Sequence, residues 1–143
     1  MKKTILFICL GLIMTTFNSC KKEGCMDIDA GNYSSEVKKD DGSCVYSEKL
    51  IIWQDLAASQ YLTSVGITGL SFYVNGQLIG TCLATNYWTG TPSCEQTGIA
   101  STTIDLGKIT TSTVNLEVKD QTGVSLWTDL VTITAGSCTT YQL

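Results

Sequence analysis

Leu70-Ser71-Phe72-Tyr73-Val74-Asn75-Gly76-Gln77-Leu78-Ile79-Gly80 decides the fold of this chain. Two short alternating runs flank Asn75-Gly76, a pair that takes the positive φ angles of a two-residue type I′ turn. The stretch therefore predicts a β-hairpin in which Phe72 lies opposite Ile79. Val74 joins them on the inner face, and Tyr73 and Leu78 fall on the other.

The same period of two extends outward. Thr113–Lys119 (TVNLEVK) sets Val114, Leu116 and Val118 on one face and Asn115, Glu117 and Lys119 on the other. Further strands are predicted at Leu50–Leu56, Ile79–Cys82, Ser101–Leu106, Leu126–Thr134 and Cys138–Leu143. Turns are expected at Asp120-Gln121-Thr122-Gly123 and Ala135-Gly136-Ser137. Ala57–Ser64 breaks the alternation and reads as a short helical turn or a loop. About seven short strands without an extended helical period give an all-β fold, an antiparallel β-sandwich, over residues 48–143.

Residues 1–19 have the order of a secretory signal: basic Met1-Lys2-Lys3, an uncharged run from Thr4 to Met14, then a small residue, Ser19, before Cys20. The run is short of the roughly 20 apolar residues that span a bilayer. Phe17-Asn18-Ser19-Cys20 stands where a lipobox ends, and it resembles the relaxed lipoboxes of Bacteroidetes-type lipoproteins. The resemblance implies cleavage before Cys20, diacylglycerol on its thiol and acylation, for instance with palmitate, of the new amine. Several acyl chains, each contributing about 0.8 kcal/mol per buried methylene, hold a protein stably on a membrane. Residues 20–24 would be the lipidated stem. Lys21 is not the aspartate that retains lipoproteins at the inner membrane, which points to the outer membrane, on its periplasmic or surface face.

From Cys20 onward, seven lysines stand against thirteen Asp and Glu, and the chain has no Arg and no His. That balance excludes a basic groove for nucleic acid. It also excludes Ser-His-Asp, Cys-His and histidine–zinc chemistry. Cys9 would leave with the signal and Cys20 would carry lipid. Cys25, Cys44, Cys82, Cys94 and Cys138 remain, an odd number in an oxidising compartment.

Residues 25–46 (CMDIDAGNYSSEVKKDDGSCVY) are too polar to build a core. A Cys25–Cys44 bridge closing a loop of about 20 residues would supply roughly 3 kcal/mol. The unit resembles the CTDPTALNYNPEATIDDGSCIY repeat of secreted Bacteroidetes proteins. It matches at Cys25, Asp27, Ala30, Asn32, Tyr33, Asp40, Asp41, Gly42, Ser43, Cys44 and Tyr46, and departs at Ile28, Asp29 and Gly31. The resemblance implies an extracellular disulfide module, not an activity. Asp27, Asp29, Asn32, Asp40 and Asp41 are oxygen donors of the kind calcium takes. The alternative is that they cap local backbone in Asx-turns.

The later part resembles a small sandwich domain of secreted Bacteroidetes proteins, similar in outline to prealbumin-like and immunoglobulin-like domains. Ile52-Trp53, the 72–80 hairpin, Pro92-Ser93-Cys94, Trp127–Ile133, Gly136, Cys138 and Leu143 carry that resemblance. It implies a Cys94–Cys138 disulfide, leaving Cys82 as a buried thiol or an intermolecular partner. A Cys82–Cys94 staple is the alternative. With no His or Arg to hold a thiolate, cysteine catalysis is not expected.

Trp53 and Trp127 lie in alternating strands and read as core. Tyr87 and Trp88, in the long Asn86–Gly90 loop, are candidate contacts for a glycan or protein partner, unless Trp88 folds back over the end of the sandwich. Asp55, Asp105 and Asp129 are the mid-strand acids that a carboxylate hydrolase would need. The leading expectation is a membrane-anchored, extracytoplasmic lipoprotein without enzymatic activity, a structural or binding accessory of the envelope. Glycan or small-ligand capture through loop aromatics is the alternative, and a carboxylate hydrolase a second.

Overall fold

The computed structural model describes residues 21–143. The expected signal segment 1–19 and the lipidation site Cys20 lie outside the described residues. The elements run β1 (Glu23–Gly24), β2 (Lys39–Asp40), β3 (Tyr46–Trp53), α1 (Leu56–Ser64), β4 (Gly69–Val74), β5 (Gln77–Leu83), β6 (Ala100–Gly107), β7 (Thr111–Asp120), β8 (Ser125–Thr134) and β9 (Thr139–Gln142). A three-stranded sheet, β6-β3-β9, packs on a four-stranded sheet, β5-β4-β7-β8. The fold is all-β with two packed sheets. Within these two sheets the pairing is antiparallel except at β9, which joins β3 in parallel; β1 and β2 form a separate two-stranded parallel sheet. No turn-local pattern encodes that exception. After β8 the chain crosses to the other sheet, and the direction in which it arrives sets the pairing.

The β4–β5 hairpin forms on Asn75 (φ 49°) and Gly76 (φ 80°). Asn75 also binds β7 twice: its N–H donates to the Asn115 carbonyl at 2.8 Å, and its Oδ1 accepts from the Asn115 N–H at 2.9 Å. The faces are as expected, with Phe72 and Val74 buried, Ile79 packed against the core and Leu78 exposed. The register differs. Tyr73 pairs Leu78, but Phe72 pairs Gly80, because an irregularity between Phe72 and Tyr73 leaves Ile79 as the extra residue. The bulge places Gly80 against β6, where an added Cβ would lie 3.3 Å from the Cβ of Ala100.

Inside the sandwich, Leu50 and Ile52 of β3 meet Leu70, Phe72 and Val74 of β4, Val114, Leu116 and Val118 of β7, and Ile133 of β8. The alternation of β7 is thus obeyed along its length. Residues 57–64, left open between turn and loop, belong to α1. Asp55 is its N-cap and accepts from the Ala58 N–H at 2.8 Å. Its end is a Schellman turn: the Ile67 N–H donates to the Leu62 carbonyl and the Gly66 N–H to that of Thr63.

The 25–46 unit is stapled by Cys25–Cys44 as expected. Tyr46 is already the first residue of β3, and Cys25, Ala30, Cys44 and Tyr46 belong to the same buried cluster as Leu50 and Phe72. The expected division between 46 and 48 falls inside a strand.

Candidate functional site

β3 is buried on both faces. Leu50 and Ile52 point into the sandwich, yet Ile51 on the opposite face is 0% exposed and Trp53 only 7%. Residues 84–99, the connection from β5 to β6, cover that outer face. Trp88 N–H donates to the Gln54 carbonyl at 2.9 Å, and Ile99 N–H donates to the Ile52 carbonyl at 2.9 Å. The Lys49 ammonium donates to the carbonyls of Cys94 (3.1 Å) and Gln96 (2.7 Å). The wholly buried Gln54 holds the start of the loop, its Nε2 donating to the carbonyls of Ala84 (2.9 Å) and Asn86 (2.5 Å). Ser59 of α1 donates to the Ala84 carbonyl as well. The loop is long, but its backbone is anchored at one end to Gln54, the residue that follows β3, and at the other to β3 itself.

The clamp shapes a cleft of about 620 Å³ between the loop, the start of α1 and the end of β9. Trp53, Tyr87 and Trp88 supply its aromatic lining, and Asp55, Thr89 and Gln142 its polar groups. Tyr87 is exposed, and Trp88 is half-buried. Gln142 stands beside Trp53 in the β3–β9 register, and its Nε2 donates to Asp55 Oδ2 at 3.1 Å. The helix cap holds Asp55 Oδ1. A carboxylate oxygen can accept more than one hydrogen bond, so this pair still presents acceptors to the cleft. No lysine lines it.

Both sequence-derived aromatic candidates, Tyr87 and Trp88, therefore lie in one concave site. Trp53, read as core, is buried and also forms part of that site. Trp127 is only half-buried. It lines an apolar groove with Tyr61, Leu62, Val65, Ile67 and Leu126, because β8 is an edge strand and α1 covers it incompletely.

Asp55, Asp105 and Asp129 are not brought together as a catalytic pair. Asp55 is a helix cap rather than a strand residue. Asp105 accepts from the Gly107 N–H at 2.8 Å. Asp129 accepts from the Tyr141 hydroxyl at 2.8 Å. Asp55 and Asp129 are thus bonded to consecutive residues of β9, which point to opposite faces of a strand. Burial, and then the bond to Asp129, raise the Tyr141 hydroxyl above its ordinary value.

Four of the five proposed calcium ligands have their side-chain oxygens in hydrogen bonds within the 25–46 unit. Asp40 accepts from the Gly42 N–H, Asp41 from that of Ser43, and Asn32 from that of Val45. Asp27 accepts from the Asp29 N–H and from the Tyr46 hydroxyl, and the latter bond is the main cause holding its carboxyl below the ordinary range. Asp29 lies instead against Gly136, between β8 and β9. Among the described residues no group of three acidic, Cys or His side chains is placed to hold a metal ion. Asp27, Asp40 and Asp41 follow the Asx-turn reading, each accepting from the N–H two residues further on.

Cys82 packs against the core from β5, and burial pushes its thiol to about 11. Cys94 and Cys138, expected as a disulfide, are free thiols in the structure, and burial, then the neighbouring Cys94, push the Cys138 thiol to about 11. The alternative partner Cys82 lies elsewhere, opposite Leu70 in the β4–β5 ladder.

Sequence reasoning missed Gln54, Lys49 and Gly98 as organisers of the loop. A polar residue after an apolar strand is a weak signal, and what it binds is decided by a segment far along the chain. No family model, no curated protein and no solved structure matches this chain.

Proposed function

We propose that this protein is a membrane-anchored, extracytoplasmic binding accessory without enzymatic activity, and that it holds an uncharged carbohydrate in the aromatic cleft. The observation that carries the reading is the convergence of Trp53, Tyr87 and Trp88 with the Asp55–Gln142 pair in one open concavity. Aromatic faces cover the apolar C–H face of a sugar ring, while a carboxylate and an amide accept and donate to its hydroxyls. A site with one carboxylate and no cation disfavours anionic ligands. The anchored backbone of the loop reduces the ordering cost of binding.

A panel of immobilised neutral polysaccharides tests this reading. The wild-type chain is expected to bind a subset of them. Trp88→Ala should weaken that binding by about 2 kcal/mol, or some thirtyfold, as expected for a central aromatic anchor. A wild-type chain that binds none, or a Trp88→Ala variant that binds as well as wild type, overturns the assignment.

The anchor is tested separately by metabolic labelling with palmitate. Label is expected in the wild-type chain and lost in Cys20→Ala, with the unlabelled variant released from membranes. Label retained in the variant counts against Cys20 as the acylated residue. Among the described residues no helix is long and apolar enough to cross a membrane, so the lipid would be the attachment this reading relies on.

A further inference from the structure

We propose that the free edge of β8 binds a second copy of this chain, strand to strand and antiparallel, with Leu130 on the two-fold axis. The four-stranded sheets of the two copies then join into one continuous sheet.

The backbone supplies the first argument. Along an antiparallel ladder, residues alternate between those that bond the neighbouring strand and those whose N–H and C=O point away from it. Asn115 of β7 turns both groups to the β4 side, where its carbonyl accepts from the Asn75 N–H and its own N–H donates to Asn75 Oδ1. Leu130 stands opposite Asn115, so its N–H and C=O face the open edge. Two further bonds agree. The Leu130 N–H has turned to Asp129 Oδ1, at 2.8 Å. Thr134, an even number of residues on, gives its carbonyl to the Ser137 N–H and hydroxyl. Pairing with β7 is regular from Trp127 to Thr134, so Thr128 and Thr132 face outward as Leu130 does. Among the described residues, no backbone group from outside the ladder reaches any of these three.

The other edges are closed or short. Gly80 of β5 lies so near β6 that an added Cβ would stand 3.3 Å from the Cβ of Ala100, which brings those two edges together. β9 has four residues. β8 has ten, without the Lys or Pro that keep an exposed edge from pairing. The apolar groove of Tyr61, Val65, Leu126 and Trp127 lies beside its start.

The order of the outward residues selects the occupant. Thr128, Leu130 and Thr132 read the same in both directions about Leu130. A second copy laid antiparallel on that axis sets leucine against leucine and each Thr128 against a Thr132, and such cross-strand pairs stabilise a sheet. The two-fold closes the assembly at a dimer. Leu130 is 68% exposed on a face it shares with Asn115, Thr128 and Thr132, and this pairing covers it. Charge permits the match. Asp129, the charged residue of β8, comes opposite Val131 of the second copy rather than opposite another aspartate, and the Tyr141 hydroxyl already bonds its carboxylate. The Leu130 N–H then leaves Asp129 for the Leu130 carbonyl of the second copy.

The full chain, in density-matched detergent, is followed by sedimentation velocity over a concentration series. Wild type is expected to become a dimer as concentration rises. Leu130→Lys opposes like charges on the axis without touching a β7 bond, and should weaken the dimer about thirtyfold or more. Leu130→Glu should do the same, and mixing the two variants should restore a heterodimer. Hydrogen exchange reads the register. In the wild-type dimer, the amides of Thr128, Leu130 and Thr132 should exchange about tenfold more slowly than in the dilute monomer, while those of Val131 and Ile133 are protected in both. A wild-type chain that is monomeric throughout overturns the second copy as the occupant. So does a dimer that Leu130→Lys leaves intact, or a mixture of the two variants that stays monomeric. Carbohydrate binding enters none of these readouts.

Discussion

Replacing Gly98 with alanine is expected to destabilise the chain by about 3 kcal/mol, from a left-handed backbone cost of about 1–2 and an overpacking cost of about 1–3. Gly98 has φ +60°, and an added Cβ would stand 2.6 Å from both the Ile52 carbonyl oxygen and Ile51 Cγ2. The oxygen belongs to β3, the central strand of its sheet, and cannot retreat without disturbing the β3–β6 ladder. The loop must yield instead, uncovering Ile51 and Trp53. Urea unfolding followed by tryptophan fluorescence measures the effect. Gly90→Ala is the control, since φ is not positive there and an added Cβ meets nothing within 4 Å. It should change stability by less than about 0.5 kcal/mol. If the two variants prove equally stable, residues 84–99 do not cover β3 as described.

Removing the staple of the 25–46 unit, by Cys25→Ala/Cys44→Ala, is expected to cost about 3 kcal/mol through the added freedom of the unfolded loop. Alanine is the right probe because both cysteines are buried, and serine would add an unpaired hydroxyl. The loss should appear as a shift of the single unfolding transition of the whole chain, because Cys25, Ala30 and Cys44 share a core with the sandwich and Tyr46 opens β3. An early separate transition, with the sandwich's own midpoint unmoved, would show instead that the unit folds alone. Thermal unfolding monitored by far-ultraviolet circular dichroism, free of reductant, distinguishes the outcomes.

The features legible in the sequence are those with short-range causes. Asn75-Gly76 announces a turn that only positive φ satisfies, and both residues take it. The faces of β4 and β7 follow from a period of two. Cys25 and Cys44 close a loop too polar to fold unaided. Tyr87 and Trp88 stand out because large aromatics in a polar loop have no strand to bury them.

Other features depend on partners distant along the chain. The bulge that moves Phe72 from Ile79 to Gly80 is set where β5 meets Ala100 of β6. Asp55, read as a mid-strand acid, caps a helix whose alternation-breaking residues left it ambiguous. Trp53 reads as core from its pattern, but whether it also serves a cleft depends on what covers the outer face.

By itself, then, the sequence determined the class of the fold, its principal hairpin, the first staple and the loop aromatics. Each rests on backbone geometry, periodicity or composition within one stretch of chain, the longest reaching from Cys25 to Cys44. Only the tertiary structure decided that β9 runs parallel to β3, that the small module continues into the sandwich core, and that residues 84–99 cover β3 and leave a cleft beside Trp53. Those outcomes are contacts between segments tens of residues apart. Hydrophobic burial drives them but is non-directional, so their partners are selected by how the assembled strands pack.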